Sequence, residues 1–438
     1  MNNHNLTGTS IPGPNTIYRH ELANGICILC LENPNSAAVS LVGLIGASSR
    51  SDPAEKLGLA NFTASMLTRG THTRNFQQLH LALESCGASL NFSTSAHNTW
   101  FAGKCLAEDL PLLLDISADC LMHPIFPDEY FERLRAQILS ALAIREQDTA
   151  DQASLTLDKL LFPNHPLGNP ADGVPQSIRA IAREDLVDFH DRYYGTNEMV
   201  LVIAGGIQAG KAYEIACKYF EKWSAAKEKM PELPKVQPLE KSFRQHVEIA
   251  EKNQMDLLLG CHGPERNSAD FLPAYLGNDI LGQFGMLGRI GEAVRIKSGL
   301  AYYAGSSLNS WREGGDWEFM AGVNPANTEK AIELIKQEIA RFIDQPVTEE
   351  ELSDSKSHLS GRLALSLESN AGLANAILTM EYFKLGLDYY QNYVRLVNEI
   401  SAKQILESSQ RFLDANRLAI VSAGTLQKSN QDENSNRH

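Results

Sequence analysis

The sequence predicts an α+β fold made of two homologous domains, each an antiparallel sheet packed with helices. Three observations predict it. The first is an internal repeat. Pro124-Ile125-Phe126-Pro127-Asp128-Glu129-Tyr130 heads a long helical stretch, and Pro346-Val347-Thr348-Glu349-Glu350-Glu351-Leu352 heads another 222 residues later. Ile181-Ala182-Arg183-Glu184-Asp185-Leu186 likewise matches Ile400-Ser401-Ala402-Lys403-Gln404-Ile405. The apolar strands that follow, Asn197 to Gly205 and Asn416 to Gly424, stand 219 residues apart. A near-constant period across several elements marks a duplicated unit. The second observation is the mixture of patterns. Ala37 to Leu44, Ser89 to Thr94 and Trp317 to Ala321 alternate as strands do, while Leu110 to Leu121 and Asn327 to Ile343 follow helical spacing. No regular strand–helix–strand order joins them, which favours antiparallel sheets. The third is the charged, proline-punctuated stretch from Ser224 to Glu240, with Pro231, Pro234 and Pro238, which suits an exposed linker. The expected organisation is a first domain over 15–223, a linker over 224–240 and a second domain over 241–427. Flexible tails are expected at 1–14 and 428–438.

Composition narrows the function classes. Of 438 residues, 43% are hydrophobic and 21% charged, enough for two domains with real cores. The net charge of −14 and the lack of a basic stripe argue against nucleic acid as a partner. No apolar run is long enough to span a bilayer. Met1 to Asn15 is polar, contains Pro12 and Pro14, and lacks the basic start and apolar stretch of a secretory signal, so the expected location is the cytoplasm, away from membranes. Seven scattered cysteines do not form a disulfide framework. Cys27 and Cys30 have Cys-x-x-Cys spacing, but inside a strand pattern their side chains point to opposite faces.

The stretch Gly58-Leu59-Ala60-Asn61-Phe62-Thr63-Ala64-Ser65-Met66-Leu67-Thr68-Arg69-Gly70-Thr71 carries most of the functional argument. Leu59, Phe62, Met66 and Leu67 recur at helical spacing and predict a helix with one buried face. The stretch resembles the zinc helix of the pitrilysin/insulinase (inverted-zincin) metallopeptidases. In that family His-x-x-Glu-His sits in a frame of Gly-Leu, Phe, Met and Gly-Thr. Gly58, Leu59, Phe62, Met66, Gly70 and Thr71 keep the frame. The chemistry needs two imidazoles one turn apart as neutral nitrogen donors and a glutamate as general base. This chain has Asn61, Ala64 and Ser65 at those positions. The family's third ligand, a glutamate on a later helix, falls on Ala141, 76 residues after Ser65, with Glu146 a turn or more away. The resemblance therefore implies a zinc site degenerate at all four positions, with no metal and no cofactor bound by this chain.

A second motif is kept. Leu281 to Tyr303 contains a glycine-rich turn from Gly282 to Gly288, a helix start at Arg289-Ile290, and then Arg295, six residues and Tyr302, with Gly299-Leu300-Ala301 before the tyrosine. Taken alone, Arg295 reads as a surface helix residue and Tyr302 as a packed strand aromatic. The flanking match to the family's C-terminal half gives the pair a role. There, an arginine and a tyrosine reach the substrate carbonyl near the metal, where they can stabilise the charge that develops on oxygen. Tyr303 is the neighbouring competitor, and strand alternation is expected to turn it away.

The resemblance covers roughly residues 15 to 427. It implies two related domains forming half of a clam-like chamber. In the family's two-subunit members one chain holds zinc and the other supplies the Arg–Tyr pair. The expected function is the zinc-less subunit of a heterodimeric peptidase. Arg295 and Tyr302 would support catalysis in trans, and Ser89, Leu90, Asn91 and Phe92 on an edge strand would pair with extended peptide. Zinc is expected in a homologous partner subunit. The alternative is a non-enzymatic scaffold or peptide-binding homologue resembling respiratory-complex core subunits; an active peptidase with displaced ligands ranks third. Two further motifs are set aside. Gly205-Gly206-Ile207-Gln208-Ala209-Gly210-Lys211-Ala212 nearly spells a phosphate loop but ends in Ala212, which has no hydroxyl for magnesium. His165-Pro166-Leu167-Gly168 reads as a structural turn.

Overall fold

The computed structural model describes residues 11–283 and 288–426. Residues 1–10 of the first expected tail, all of the second, and Phe284 to Leu287 of the glycine-rich turn lie outside the described residues. Eleven strands form two sheets among the described residues. The first contains β1 (Ile17–Glu21), β2 (Cys27–Glu32), β3 (Ala38–Ile45), β4 (Ser89–Thr94), β5 (Thr99–Leu106) and β6 (Val200–Gly205), in the order β1-β2-β6-β3-β5-β4. The second contains β7 (Phe243–Glu248), β8 (Met255–Gly263), β9 (Ala301–Ser310), β10 (Gly315–Val323) and β11 (Ala419–Gly424), in the order β7-β11-β8-β10-β9. The second order repeats the first without β1. Both sheets are antiparallel apart from one matching parallel pair each, β2 with β6 and β7 with β11. A long helical excursion precedes β6 and β11, and only such a crossover lets a strand return parallel.

The helices duplicate as well. Asp128–Arg145 and Glu349–Ser366 are both 18 residues long; Arg183–Tyr193 and Ala402–Phe412 are both 11. The chain folds as two compact units, each drawn from three segments. Among the described residues, the first comprises 11–142, 169–233 and 360–396, and the second 143–168, 234–283 with 288–359, and 397–426. Each unit takes one helix from the other repeat. In the first, the helix Asn370–Tyr382 lays Leu373, Ile377 and Met380 against Cys27, Leu29, Val42, Leu44, Val200 and Val202. In the second, the 13-residue helix Thr149–Leu161 places Ala153, Leu157 and Leu161 against Leu258 and Val421. Each such leucine or isoleucine stabilises its unit by about 1.5–3 kcal/mol on full burial.

The helix Asn370–Tyr382 explains why β2 and β6 are buried on both faces. The other face of β2 and β3, through Ile28, Cys30, Val39 and Leu41, joins a separate core with Phe62, Leu79, Leu113 and Phe220. Cys27 and Cys30 thus belong to different cores, and burial pushes both thiols up to about 12. Side chains held in different cores on opposite faces of one strand do not converge on a single metal or on each other. No helix or strand occurs between Phe220 and Phe243. Within that span Met230, Leu233, Val236 and Leu239 are half-buried while the residues between them are exposed. A period of three belongs to extended, polyproline-type chain. The segment therefore lies along the surface, Met230 packing on the first unit and Val236 and Leu239 on the second.

Candidate functional site

The frame of the degenerate motif forms as its spacing predicts. Leu59–Met66 is a helix, and Leu59, Phe62, Met66 and the following Leu67 are at most 5% exposed. Two devices start it. The Asp52 carboxylate accepts the backbone N–H groups of Gly58 (2.9 Å) and Ala60 (3.0 Å), two of the orphan donors at a helix N-terminus. Gly58 sits at φ +92°, and a Cβ there would lie 2.8 Å from the Asp172 carbonyl oxygen, so only glycine fits. Phe62 stacks on Phe131 of the helix Asp128–Arg145 at 4.9 Å between centroids, which docks that helix on the first.

The four positions that would grip a metal offer no donor set for one. The half-buried Asn61 donates from Nδ2 to the Asp172 carboxylate at 3.1 Å. Ala64 is buried, Ser65 half-buried, and Ala141 is exposed on the helix Asp128–Arg145. Glu146 is exposed just beyond that helix. Among the described residues no three His, Cys, Asp or Glu side chains gather as a metal site. An amide already engaged by a carboxylate, a hydroxyl and two methyl groups do not fit zinc, which takes thiolate, imidazole and carboxylate ligands.

Among the described residues, β4 forms the far edge of the first sheet and pairs only with β5. Leu90 and Phe92 turn inward, Phe92 lying 6.0 Å from Phe101 between centroids, while Ser89 and Asn91 are exposed. The outer backbone groups of such an edge are available to an added extended chain.

The Arg–Tyr motif lies in the second unit. Arg295 is in a short π-helical run, Gly291–Lys297, a geometry common at functional sites. The chain then reverses through Gly299 at φ +61°, with the Leu300 N–H donating to the Val294 carbonyl at 3.0 Å, and enters β9. Arg295 and Tyr302 therefore flank one tight turn. The Arg295 side chain is half-buried and makes no hydrogen bond or ion pair among the described residues. Tyr302 is 63% exposed with its hydroxyl similarly uncommitted. In the register between β10 and β9, Gly322 faces Tyr303 and Val323 faces Ala301, so Tyr302 is the extra residue of a β-bulge. A bulge breaks the strict alternation expected here and re-aims a side chain. Both tyrosines are exposed in consequence. They differ in bonding, because the Tyr303 hydroxyl donates to Asp256.

Arg289, which the spacing of the motif gives no role, anchors it. Its guanidinium forms a two-pronged bond with Glu351 at 2.6 and 2.8 Å and lies 5.2 Å above the Phe342 ring. The available signal was the capping box at Thr348, whose backbone N–H donates to the same Glu351 carboxylate at 2.8 Å. The two set-aside motifs have structural explanations. A Cβ on Gly206 would fall 1.7 Å from the Ser36 carbonyl oxygen, so close packing of two loops requires that glycine. The buried His165 accepts the Leu167 N–H on Nδ1 (3.1 Å), and its Nε2 then donates to the Pro234 carbonyl (2.9 Å), pinning the connecting segment.

Comparison with known proteins agrees with the frame. A family profile described as insulinase (peptidase family M16) matches residues 28–172, and one described as the peptidase M16 inactive domain matches 180–359. A zinc protease of Bacillus subtilis is 25% identical over 410 residues, which are 93% of this chain and 98% of that protein. The mitochondrial-processing peptidase subunit beta of Saccharomyces cerevisiae is 27% identical, over 84% of this chain and 82% of its own. The crystal structure of a peptidase M16 inactive domain from Pseudomonas fluorescens superimposes with a TM-score of 0.87 at 25% identity, covering 94% of this chain and all of that one. No helix among the described residues is long and apolar enough to cross a membrane. With the duplicated sheets, the retained helix frame and both halves matched, the chain belongs to the insulinase family of peptidases, M16.

Proposed function

We propose that this chain is the zinc-less subunit of a heterodimeric peptidase of the cytoplasm, working beside a homologous subunit that binds zinc. It supplies Arg295 and Tyr302 to the partner's site, and β4, at Ser89 to Phe92, pairs with the extended peptide. The observation that carries the reading is the contrast between the two motifs. The metal positions have decayed to Asn61, Ala64, Ser65 and Ala141, while Arg295 and Tyr302 persist with uncommitted polar groups beside one turn. A guanidinium and a phenol held out from a fixed turn suit stabilisation of negative charge on a peptide carbonyl oxygen. One preorganised donor of this kind contributes about 2.7–4 kcal/mol to the transition state. A relative of similar length is named as one subunit of a peptidase, which supports action within an assembly.

The test is co-purification of the tagged chain from its native cell, followed by peptidase assays with and without a chelator. Arg295→Ala should lower turnover of the assembly roughly 100-fold or more and leave assembly intact. Unchanged turnover would show that Arg295 has no such role. A stable homodimer without chelator-sensitive activity would favour the scaffold reading instead.

A further inference from the structure

Resting on the role given to Tyr302, we infer that Tyr303 and Asp256 form a clamp that fixes the bulge at the start of β9, making both positioning residues for Tyr302. Among the described residues, β9 is the last strand of its sheet and pairs only with β10. A bulge at an edge has support on one side only, and the extra residue has no ladder partner. Tyr302 would therefore sample many positions unless the next residue were tied down.

Tyr303 is tied twice. Its ring lies across Gly322, where an added Cβ would come within 2.4 Å of Cε1, so the missing side chain of Gly322 makes the seat for the ring. Its hydroxyl donates to Asp256, which is 2% exposed on β8, one strand beyond β10. Asp256 is held in turn. The Thr149 hydroxyl, at the first residue of the helix Thr149–Leu161, donates to its other oxygen, and Gln254 Nε2 donates to Oδ1 at 2.9 Å. Among the described residues no lysine or arginine pairs with Asp256, and its three side-chain donors are neutral. A buried carboxylate satisfied by neutral donors is costly to expose, so each donor is held firmly. The clamp thus runs from a helix of the first repeat, through β8 and across β10, to the residue next to Tyr302.

Tyr303→Phe keeps the ring over Gly322 and removes only the bond; Asp256→Asn replaces the acceptor. Hydrogen exchange of the full-length chain at neutral pH, read on peptides covering Leu300 to Gly305, should quicken about tenfold in both, as expected for loss of one such bond. Tyr302→Phe should leave that exchange unchanged. Unaltered exchange in Tyr303→Phe and Asp256→Asn overturns the clamp. The second readout is turnover of quenched fluorescent peptides by the co-purified assembly. Tyr303→Phe should lower kcat with little change in KM, and adding it to Tyr302→Phe should cause no further loss, because it acts through Tyr302. Additive losses overturn the positioning role. If Tyr303→Phe loosens the strand while Tyr302→Phe leaves turnover untouched, the role of Tyr302 fails and the positioning role falls with it, whereas a failed clamp leaves the effect of Tyr302→Phe in place.

Discussion

Glu318→Gln should stabilise the protein at pH 8 and leave it nearly unchanged at pH 4.5. Glu318 lies on β10 near Asp316, which is 3% exposed on the same strand, and near Asp158 of the helix Thr149–Leu161. Burial first, and then the charge of Asp158, push the Glu318 carboxyl up to about 7 from an ordinary 4.5. Burial likewise raises Asp158 to about 6 and holds Asp316 well above the carboxylate range. The sign follows from proton counting. The folded chain keeps the Glu318 proton until about pH 7 while the unfolded chain releases it near 4.5, so between those values the unfolded state binds fewer protons. This contribution to stability is complete below about 4.5, is lost as pH rises to about 7, and stays lost above. Each pH unit of separation corresponds to about 1.36 kcal/mol, so the loss is at most about 3 kcal/mol. Glutamine has the same size, carries no charge and can donate to the neighbouring carboxylates. The assay is urea unfolding of both proteins at pH 4.5, 6 and 8. The half-buried His190 and His262, which burial makes harder to protonate, shift both profiles alike, so the difference between the proteins reports Glu318 together with its coupling to Asp158 and Asp316. A difference that stays constant with pH, or a variant less stable at pH 8, would refute the reasoning.

Two more substitutions test the packing. Phe62→Ala removes a ring that is 0% exposed and stacked on Phe131, and should cost about 3–5 kcal/mol in chemical denaturation; a smaller loss would mean that the helix Asp128–Arg145 is held by other contacts. Gly206→Ala brings a methyl group against the Ser36 carbonyl and should cost about 1–3 kcal/mol by the same assay, whereas a neutral effect would return that loop to consideration as a phosphate site.

The duplicated elements and the helix frame were legible in the sequence because each depends on local periodicity, whereas the edge position of β4 was implied only by the family resemblance. The repeat of Pro124 to Tyr130 at Pro346 to Leu352 survives as two helices of 18 residues. Periodicity says which face of a helix is buried but not what covers it, so the exchange of Thr149–Leu161 and Asn370–Tyr382 between sheets could not be read. The bulge at Tyr302 was hidden for a related reason. Ala301 to Ser310 has no strict apolar alternation for one extra residue to interrupt, and only the register against Gly322 and Val323 reveals it. The Asp256 clamp joins residues 149, 256 and 303, and nothing in the spacing of a threonine, an aspartate and a tyrosine signals that they meet. The prolines and charges of the connecting segment dominate its composition and predict exposure, although Met230, Leu233, Val236 and Leu239 tuck in at every third position.

The most direct measurement is the metal content of the purified chain after incubation with zinc and removal of the excess. Zinc well below one equivalent is the predicted result, with no change when Asn61 or Ser65 is replaced by alanine. One tightly held zinc per chain that disappears with Asn61→Ala or Ser65→Ala would contradict the account.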